Sequence, residues 1–239
     1  MSDDPRLYGA RWATIYDDWH QGLMDDEGAV DGVADLAEDG AVLELAVGTG
    51  RLALPLAQRG IPVTGVDISE DMLAELAAKP DADKVTTLVG DMTTVRVPGE
   101  FSVVLVAFSS LFVLATLDDQ VRAFRNAAAH LRPGGRFVLE TAVPGKPSGD
   151  LKVREVHADK VVLSGGTYDP VTSVYNGTWV VLAPGGPSFY PISGRNATHH
   201  EMDLMAQLAG LELEHRWGDW RRGSFTAASK LHVSVYRKP

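Results

Sequence analysis

The chain contains no cysteine. That absence removes disulfides, thiolate metal sites and thiol nucleophiles together, and fits a reducing compartment. A basic excess is missing too: 22 Lys and Arg stand against 32 Asp and Glu, a formal net charge of -10, with the cations scattered along the chain. No positive field draws in a phosphate backbone or an anionic lipid surface, so nucleic acid and membrane are not expected as partners and a small molecule is. The opening residues, MSDDPRLYGARW, are acidic and hold no apolar run. Neither a signal peptide nor an anchor is read there, and a cytoplasmic location is expected. Repeats and low-complexity tracts are also lacking. What is present is an ordinary globular composition, 239 residues with 45% hydrophobic and 23% charged content. That is enough for a single domain over 1–239 with one filled core and an embellishment. The oligomeric state is not legible.

Between residues 42 and 140 short apolar runs alternate with helical stretches, the pattern of βαβ units around a parallel sheet. The strands read at 42–46, 61–66, 85–89, 103–108 and 136–140 are almost continuously apolar or β-branched, as when helices cover both sheet faces. Helices are expected over 29–36, 52–58, from a cap at Ser69 to near Pro80, and over 118–131, where Val121, Phe124, Ala128 and Leu131 form one stripe. After residue 140 the character changes. Residues 144–197 are dense in Gly and Pro and read as a small antiparallel insertion, while 1–28 read as a leading segment. Thr198 and Glu201 form a Thr-x-x-Glu capping box that opens a last helix. Two closing strands follow, Leu211, Leu213, His215 and Trp217 alternating in one and Leu231, Val233 and Val235 in the other, as an antiparallel pair at the sheet edge with His215 in the core.

In such a sheet the first strand-to-helix turn lies where ligands bind. Gly48 and Gly50 occupy it, within VLELAVGTGR. Glycine there permits a sharp turn and leaves no Cβ to hold a cofactor off the backbone. Because GTGRLA also satisfies the G-x-G-x-x-G/A pattern of dinucleotide binders, an NAD(P)-dependent oxidoreductase remains an alternative. Other residues tilt the balance. Glu44 places a carboxylate near the turn, which suits a ligand bearing an ammonium and a sulfonium and repels a pyrophosphate. Asp67, closing the second strand, is placed to accept ribose hydroxyls from either kind of nucleotide. Asp91 and Met92 follow the third strand, where a carboxylate can accept from an adenine amino group and an apolar side chain can pack on the ring.

Through LELAVGTGR, VTGVDISEDML, LVGDM and LRPGGRFVLE, in order over about residues 41–142, the chain resembles the class I S-adenosylmethionine-dependent methyltransferases, and within them the small-molecule branch. The resemblance implies a Rossmann-like, doubly wound α/β fold with a mostly parallel seven-stranded sheet whose last strand is antiparallel. It implies S-adenosyl-L-methionine as cofactor, S-adenosyl-L-homocysteine as product, and methyl transfer to an oxygen or nitrogen of a metabolite, a natural-product intermediate being one such acceptor. Glu44, Ala46, Gly48, Gly50 and Arg51 would then hold the methionine end, Asp67, Ile68 and Met72 the ribose side, and Asp91 and Met92 the adenine, with Phe108 alongside. A protein that binds this cofactor without methylating is the other alternative.

The acceptor side is less sharply written. Methyl transfer from sulfonium is an in-line displacement, so few catalytic residues are obligatory. Phe108-Ser109-Ser110 ends the fourth strand and is similar to the sugar-amine N,N-dimethyltransferases, as is the carboxylate of Glu140 ending the fifth; Ser109 either meets the acceptor or caps the next turn. In this superfamily a leading segment with Tyr8, Trp12, Tyr16 and Trp19 often forms a lid. Tyr16 is the one expected against the cofactor, where a cation–π contact is worth roughly 0.5–2 kcal/mol. His199 and His200 point about 100° apart on a helix and cannot readily share a metal, so no metal site is expected; either is a candidate base alongside Glu140 if that helix start faces the pocket. The insertion carries Tyr168, Tyr175, Trp179, Phe189, Tyr190 and Arg195, of which Tyr168, Tyr190 and Arg195 are expected on the substrate. Trp217, with Trp220, Arg221 and Arg222 after it, either lines the acceptor pocket or forms an ordinary loop.

Overall fold

The computed structural model describes residues 6–20, 25–145 and 150–239, with side chains from Gly9 onward. Five parallel strands carry the first half: β1 (Val42–Leu45), β2 (Val63–Asp67), β3 (Val85–Val89), β4 (Phe101–Val106) and β5 (Leu131–Ala142). β1 and β4 are buried along their whole length, which is why their sequences show no polar alternation. Successive residues nevertheless serve opposite layers. Val103 and Leu105 pack with α2 (Asp26–Ala37) and α3 (Ala53–Gln58), whereas Val104 and Val106 pack with α5 (Leu117–His130) and α6 (His199–Leu208). Between α3 and α5, α4 (Glu70–Ala77) starts at Ser69, whose hydroxyl accepts from the Met72 amide at 3.2 Å. The capping box of Thr198 and Glu201 is formed in both directions.

The main sheet has seven strands in the order β10-β11-β5-β4-β1-β2-β3, where β10 is Glu212–Trp217 and β11 is Leu231–Arg237. β11 runs antiparallel to both β5 and β10, so the sheet is mixed, with the expected closing pair at its edge. His215 does not enter the core. It lies exposed on the edge strand β10, as does Leu213, 45% exposed.

The insertion is larger than its sequence suggests. β6 (Lys152–Val156), β7 (Val161–Asp169), β8 (Val174–Ala183) and β9 (Gly186–Arg195) make a second, fully antiparallel four-stranded sheet. Pro187 and Pro191 hide β9 from a propensity reading, yet β9 is an edge strand, where a missing N–H need not break a ladder bond. The opposite edge, β6, is exposed throughout and reads Lys-Val-Arg-Glu-Val, charged as edges that resist further pairing are.

Ahead of these layers, α1 (Arg6–His20) packs between α4 and β9 of the second sheet. Trp12, 2% exposed, packs on Trp19 and Tyr190 at centroid separations of 5.1 and 5.2 Å, and its indole N–H donates to the Pro191 carbonyl at 3.4 Å. Trp19 in turn packs on Trp179. Residues 1–5 and 21–24 of the leading segment, residues 146–149 of the insertion and the side chain of Tyr8 lie outside the described set. Among the described residues no helix is long and apolar enough to cross a membrane.

Candidate active site

Strand order reverses between β1 and β4, and β1 leaves the sheet at that crevice. Beyond Leu45 the chain turns through left-handed backbone at Ala46, Gly48 and Gly50, φ 63°, 56° and 82°. The two glycines answer different demands. A Cβ on Gly48 would meet nothing within 4 Å, so this residue leaves an open face; one on Gly50 would sit 2.9 Å from the Leu76 side chain, so that residue lets the turn pack down on α4. Asp67, at the end of β2, ties the turn to the next one: Oδ2 accepts from the Gly48 amide at 2.8 Å and Oδ1 from the Ser69 amide at 2.9 Å. Burial holds the Asp67 carboxyl above its usual range, against the pull of those amides.

Glu44 sits beneath the turn, 4% exposed, and its Oε2 has no hydrogen-bond partner among the described residues. Burial pushes its carboxyl up to about 8, Arg51 drawing it down while Asp67 and Glu140 push it further. Arg51 is committed elsewhere. It is ion-paired with Asp26, stands 3.9 Å from Glu140, and lies 5.4 Å over the Phe108 ring. A buried carboxyl oxygen without a donor, beside a turn with an open glycine face, fits an ammonium-bearing ligand, whose charge would favour the ionised form.

A cavity of about 1000 Å3 opens over this crevice. That is the upper end of the roughly 300–1,000 Å3 usual for ligand pockets. Tyr16, Ala46 and Gly48 line it, as do Asp67, Ile68 and Met72 after β2 and Asp91 and Met92 after β3. The Asp91 carboxylate also closes its own loop, accepting from the Thr93 amide at 2.7 Å. Of the expected cofactor residues, Glu44, Gly50, Arg51 and Phe108 stand behind this lining. Phe108 meets Tyr16 edge-on at 6.4 Å and so backs the wall.

The residues expected on the acceptor side are placed differently. Glu140 is 2% exposed and spends both carboxylate oxygens inside the protein, Oε2 on the Phe108 amide at 2.9 Å and Oε1 on the Trp220 indole at 2.8 Å. His199 and His200 stack on each other at 3.9 Å, with Phe225 against His199, and neither is part of the cavity wall. Burial and the neighbouring His200 hold His199 below its usual range. The expected result for His199→Ala and His200→Ala is turnover within about twofold of the parent in a methyl-transfer assay, the behaviour of surface positions. Ser109 is bonded to β5, its hydroxyl accepting from the Ala142 amide at 2.8 Å. Arg195 is a buried clamp, bonded to Gln120 of α5 at 2.8 Å and Glu201 of α6 at 2.6 Å. Trp217 stacks on His215 under Arg222, Trp220 is buried against α2, and Arg221 and Arg222 pair with Asp25 and Asp35. Tyr168 and Tyr190 are turned off the lining, while their neighbours Thr167, Phe189 and Pro191 are on it. Ser110, named in the sequence with Ser109, is on the wall, and residues the sequence reading missed complete it: Arg11 of α1, 113–115 after β4, and Asn176, Thr178, Ile192 and Ser193 of the second sheet. Along β9 the lining takes Phe189 and Pro191 and skips Tyr190, but then takes both Ile192 and Ser193, so strand alternation alone does not give it. No group of three or more metal-ligating side chains occurs among the described residues.

The known proteins that this chain resembles are methyltransferases. A family model described as a methyltransferase domain matches residues 42–135. The chain is similar to the CcbJ methyltransferase from Streptomyces caelestis, 38% identical over 98% of this chain and 99% of that one, with a TM-score of 0.93. It is 27% identical to the cypemycin N-terminal methyltransferase of a Streptomyces species, covering 98% of this chain and 99% of the relative. Two further likenesses are partial: the chain spans 58% of the length of YqeM from Bacillus subtilis, at 30% identity over 62% of this chain. It likewise spans 58% of the dTDP-3-amino-3,4,6-trideoxy-alpha-D-glucopyranose N,N-dimethyltransferase of Streptomyces venezuelae, at 33% identity over 56% of this chain. The chain belongs to the class I S-adenosylmethionine-dependent methyltransferases. It is a methyl-transferring enzyme with S-adenosylmethionine as cofactor, and the nicotinamide reading is not favoured.

Proposed function

We propose that the chain methylates a neutral amine of a small, bulky and mainly uncharged natural-product or sugar-like acceptor. The observation that carries this reading is the chemistry of the cavity beyond the cofactor residues. Ser110, Thr167, Asn176, Thr178 and Ser193 offer hydroxyls and an amide, Leu114, Pro191 and Ile192 offer apolar surface, and Arg11 is the charged side chain among them. Among the described residues, no histidine or carboxylate belongs to that part of the lining. Tyr16 does reach the cavity, but burial drives its hydroxyl well above the ordinary phenol range, so it keeps its proton. An alcohol acceptor needs a base for its proton, whereas an amine needs only to be neutral, desolvated and aimed. The relatives named for an N-terminal amine and for an amino sugar support the same reading. When bound, S-adenosylmethionine supplies an electrophilic methyl on a leaving group that departs neutral. Glu44 would hold its ammonium, Asp67 the ribose hydroxyls, and Asp91 with Met92 the adenine, while α1 and the second sheet exclude water. The N-methylated product sheds its extra proton to solvent. We place the chain in the cytoplasm as one working domain, consistent with the absence of cysteine.

Trideuteromethyl-labelled cofactor offered with paired amines and alcohols of one skeleton tests the acceptor class by mass spectrometry. The label is expected on nitrogen, with kcat/KM rising with pH until the free amine is deprotonated. Labelled alcohols beside inert amines would overturn it.

A further inference from the structure

Two consecutive non-glycine residues at the end of β4 hold left-handed backbone, Phe108 at φ 52° and Ser109 at φ 60°. Each such residue is costly and persists only where its surroundings over-determine it. Here the surroundings are one stretch of β5. The Phe108 amide donates to the Glu140 carboxylate at 2.9 Å, the Ser109 amide to the Glu140 carbonyl at 2.9 Å, and the Ser109 hydroxyl accepts from the Ala142 amide at 2.8 Å. The turn then launches a short 3-10 helix, Ser110–Val113, with the Phe112 amide bonded back to the Ser109 carbonyl at 2.8 Å. Ser110, Val113, Leu114 and Ala115 form the cavity wall on this side, and Phe108 backs Tyr16. The other Glu140 oxygen accepts from Trp220, itself 4% exposed and packed against Gly32 of α2.

We propose that Glu140 is a positioning residue for methyl transfer. Its carboxylate, divided between the Phe108 amide and the Trp220 indole, pins the strained Phe108–Ser109 turn and so sets the Ser110–Ala115 wall against which the acceptor is aimed. The inference rests on the proposed reading of that wall as the acceptor side. A carboxylate is needed because both of its oxygens accept. Glutamine in its place offers one carbonyl and one NH2, so one of the two N–H donors faces another donor.

Glu140→Gln tests this, together with the double variant Glu140→Gln/Trp220→Phe, in which the lone carbonyl is free to serve Phe108. In Glu140→Gln, kcat on an amine from the panel above is expected to fall by about 10- to 100-fold, the scale of a misplaced near-attack geometry. S-adenosylhomocysteine affinity stays within about threefold and the shape of the pH profile is retained. The double variant recovers most of the lost kcat. Crystal structures of both variants with S-adenosylhomocysteine give an arm independent of any acceptor: Phe108 and Ser109 leave the left-handed region in the first and return to it in the second. An unchanged kcat, a loss that follows S-adenosylhomocysteine affinity without recovery, or an unmoved turn would overturn the proposal. So would loss of the acidic limb of the pH profile without recovery, which would make Glu140 a proton acceptor. Failure of the parent enzyme on every amine would instead sink the acceptor reading, and the structures alone would decide the role of Glu140.

Discussion

Asp67→Ala is expected to weaken S-adenosylhomocysteine binding by about 1–3 kcal/mol, roughly five- to 150-fold, in a calorimetric titration. Two losses combine. The carboxylate lines the cavity where a ribose would lie, and the same two oxygens hold the Gly48 and Ser69 amides at 2.8 and 2.9 Å. Removing it slackens the glycine turn and leaves the cap of α4 without its brace. Asp67→Asn keeps one acceptor and is expected to fall between the two. Unchanged affinity in Asp67→Ala would contradict the ribose assignment.

The second large effect is on pH dependence. Burial raises the Glu44 carboxyl to about 8, so in the free protein it carries a proton at neutral pH. A bound ammonium favours the ionised form, so binding releases that proton wherever Glu44 is protonated in the free state. Affinity for S-adenosylhomocysteine should therefore rise with pH, by up to about tenfold per pH unit, and level off near 8. There the ligand's own amino group, of the α-amino kind that titrates at about 8, begins to lose its charge. Folding has the opposite sign: a carboxyl raised above its unfolded value stabilises the free protein most below the unfolded pKa, and that contribution is lost as pH rises toward 8. Titrations between pH 6 and 8 in buffers of different ionisation enthalpy measure the released proton directly. Glu44→Gln should abolish the release. A flat affinity profile in the parent would show that Glu44 is not the ammonium partner.

How much of this was written in the sequence follows from the range of the interactions. The parallel strands and their helices were legible because their signals are local: continuous apolar runs, the Ser69 cap, the Thr198 and Glu201 box. The glycine turn was legible too, since Gly48, Glu44 and Asp67 sit at fixed offsets from strand ends. The rest of the cavity wall was not. Much of it comes from β7, β8 and β9, whose register is set by pairing across the second sheet, and a one-residue step along β9 exchanges Tyr190 for Phe189 or Pro191. Arg195 and Glu140 were singled out from sequence for their charge, but their bonding was not legible, because the partners Gln120 and Trp220 lie 75 and 80 residues away in the chain. The extent of the second sheet was masked by Pro187 and Pro191, which count against a strand unless it is known to be an edge.

The claim on which the rest stands is that the turn between β1 and α3 holds S-adenosylmethionine and not a dinucleotide. Isothermal titration of the purified chain with S-adenosylhomocysteine and, separately, with NAD tests it most directly. One-to-one binding of S-adenosylhomocysteine with no detectable heat from NAD is the expected result, and tight NAD binding with none for S-adenosylhomocysteine would contradict it.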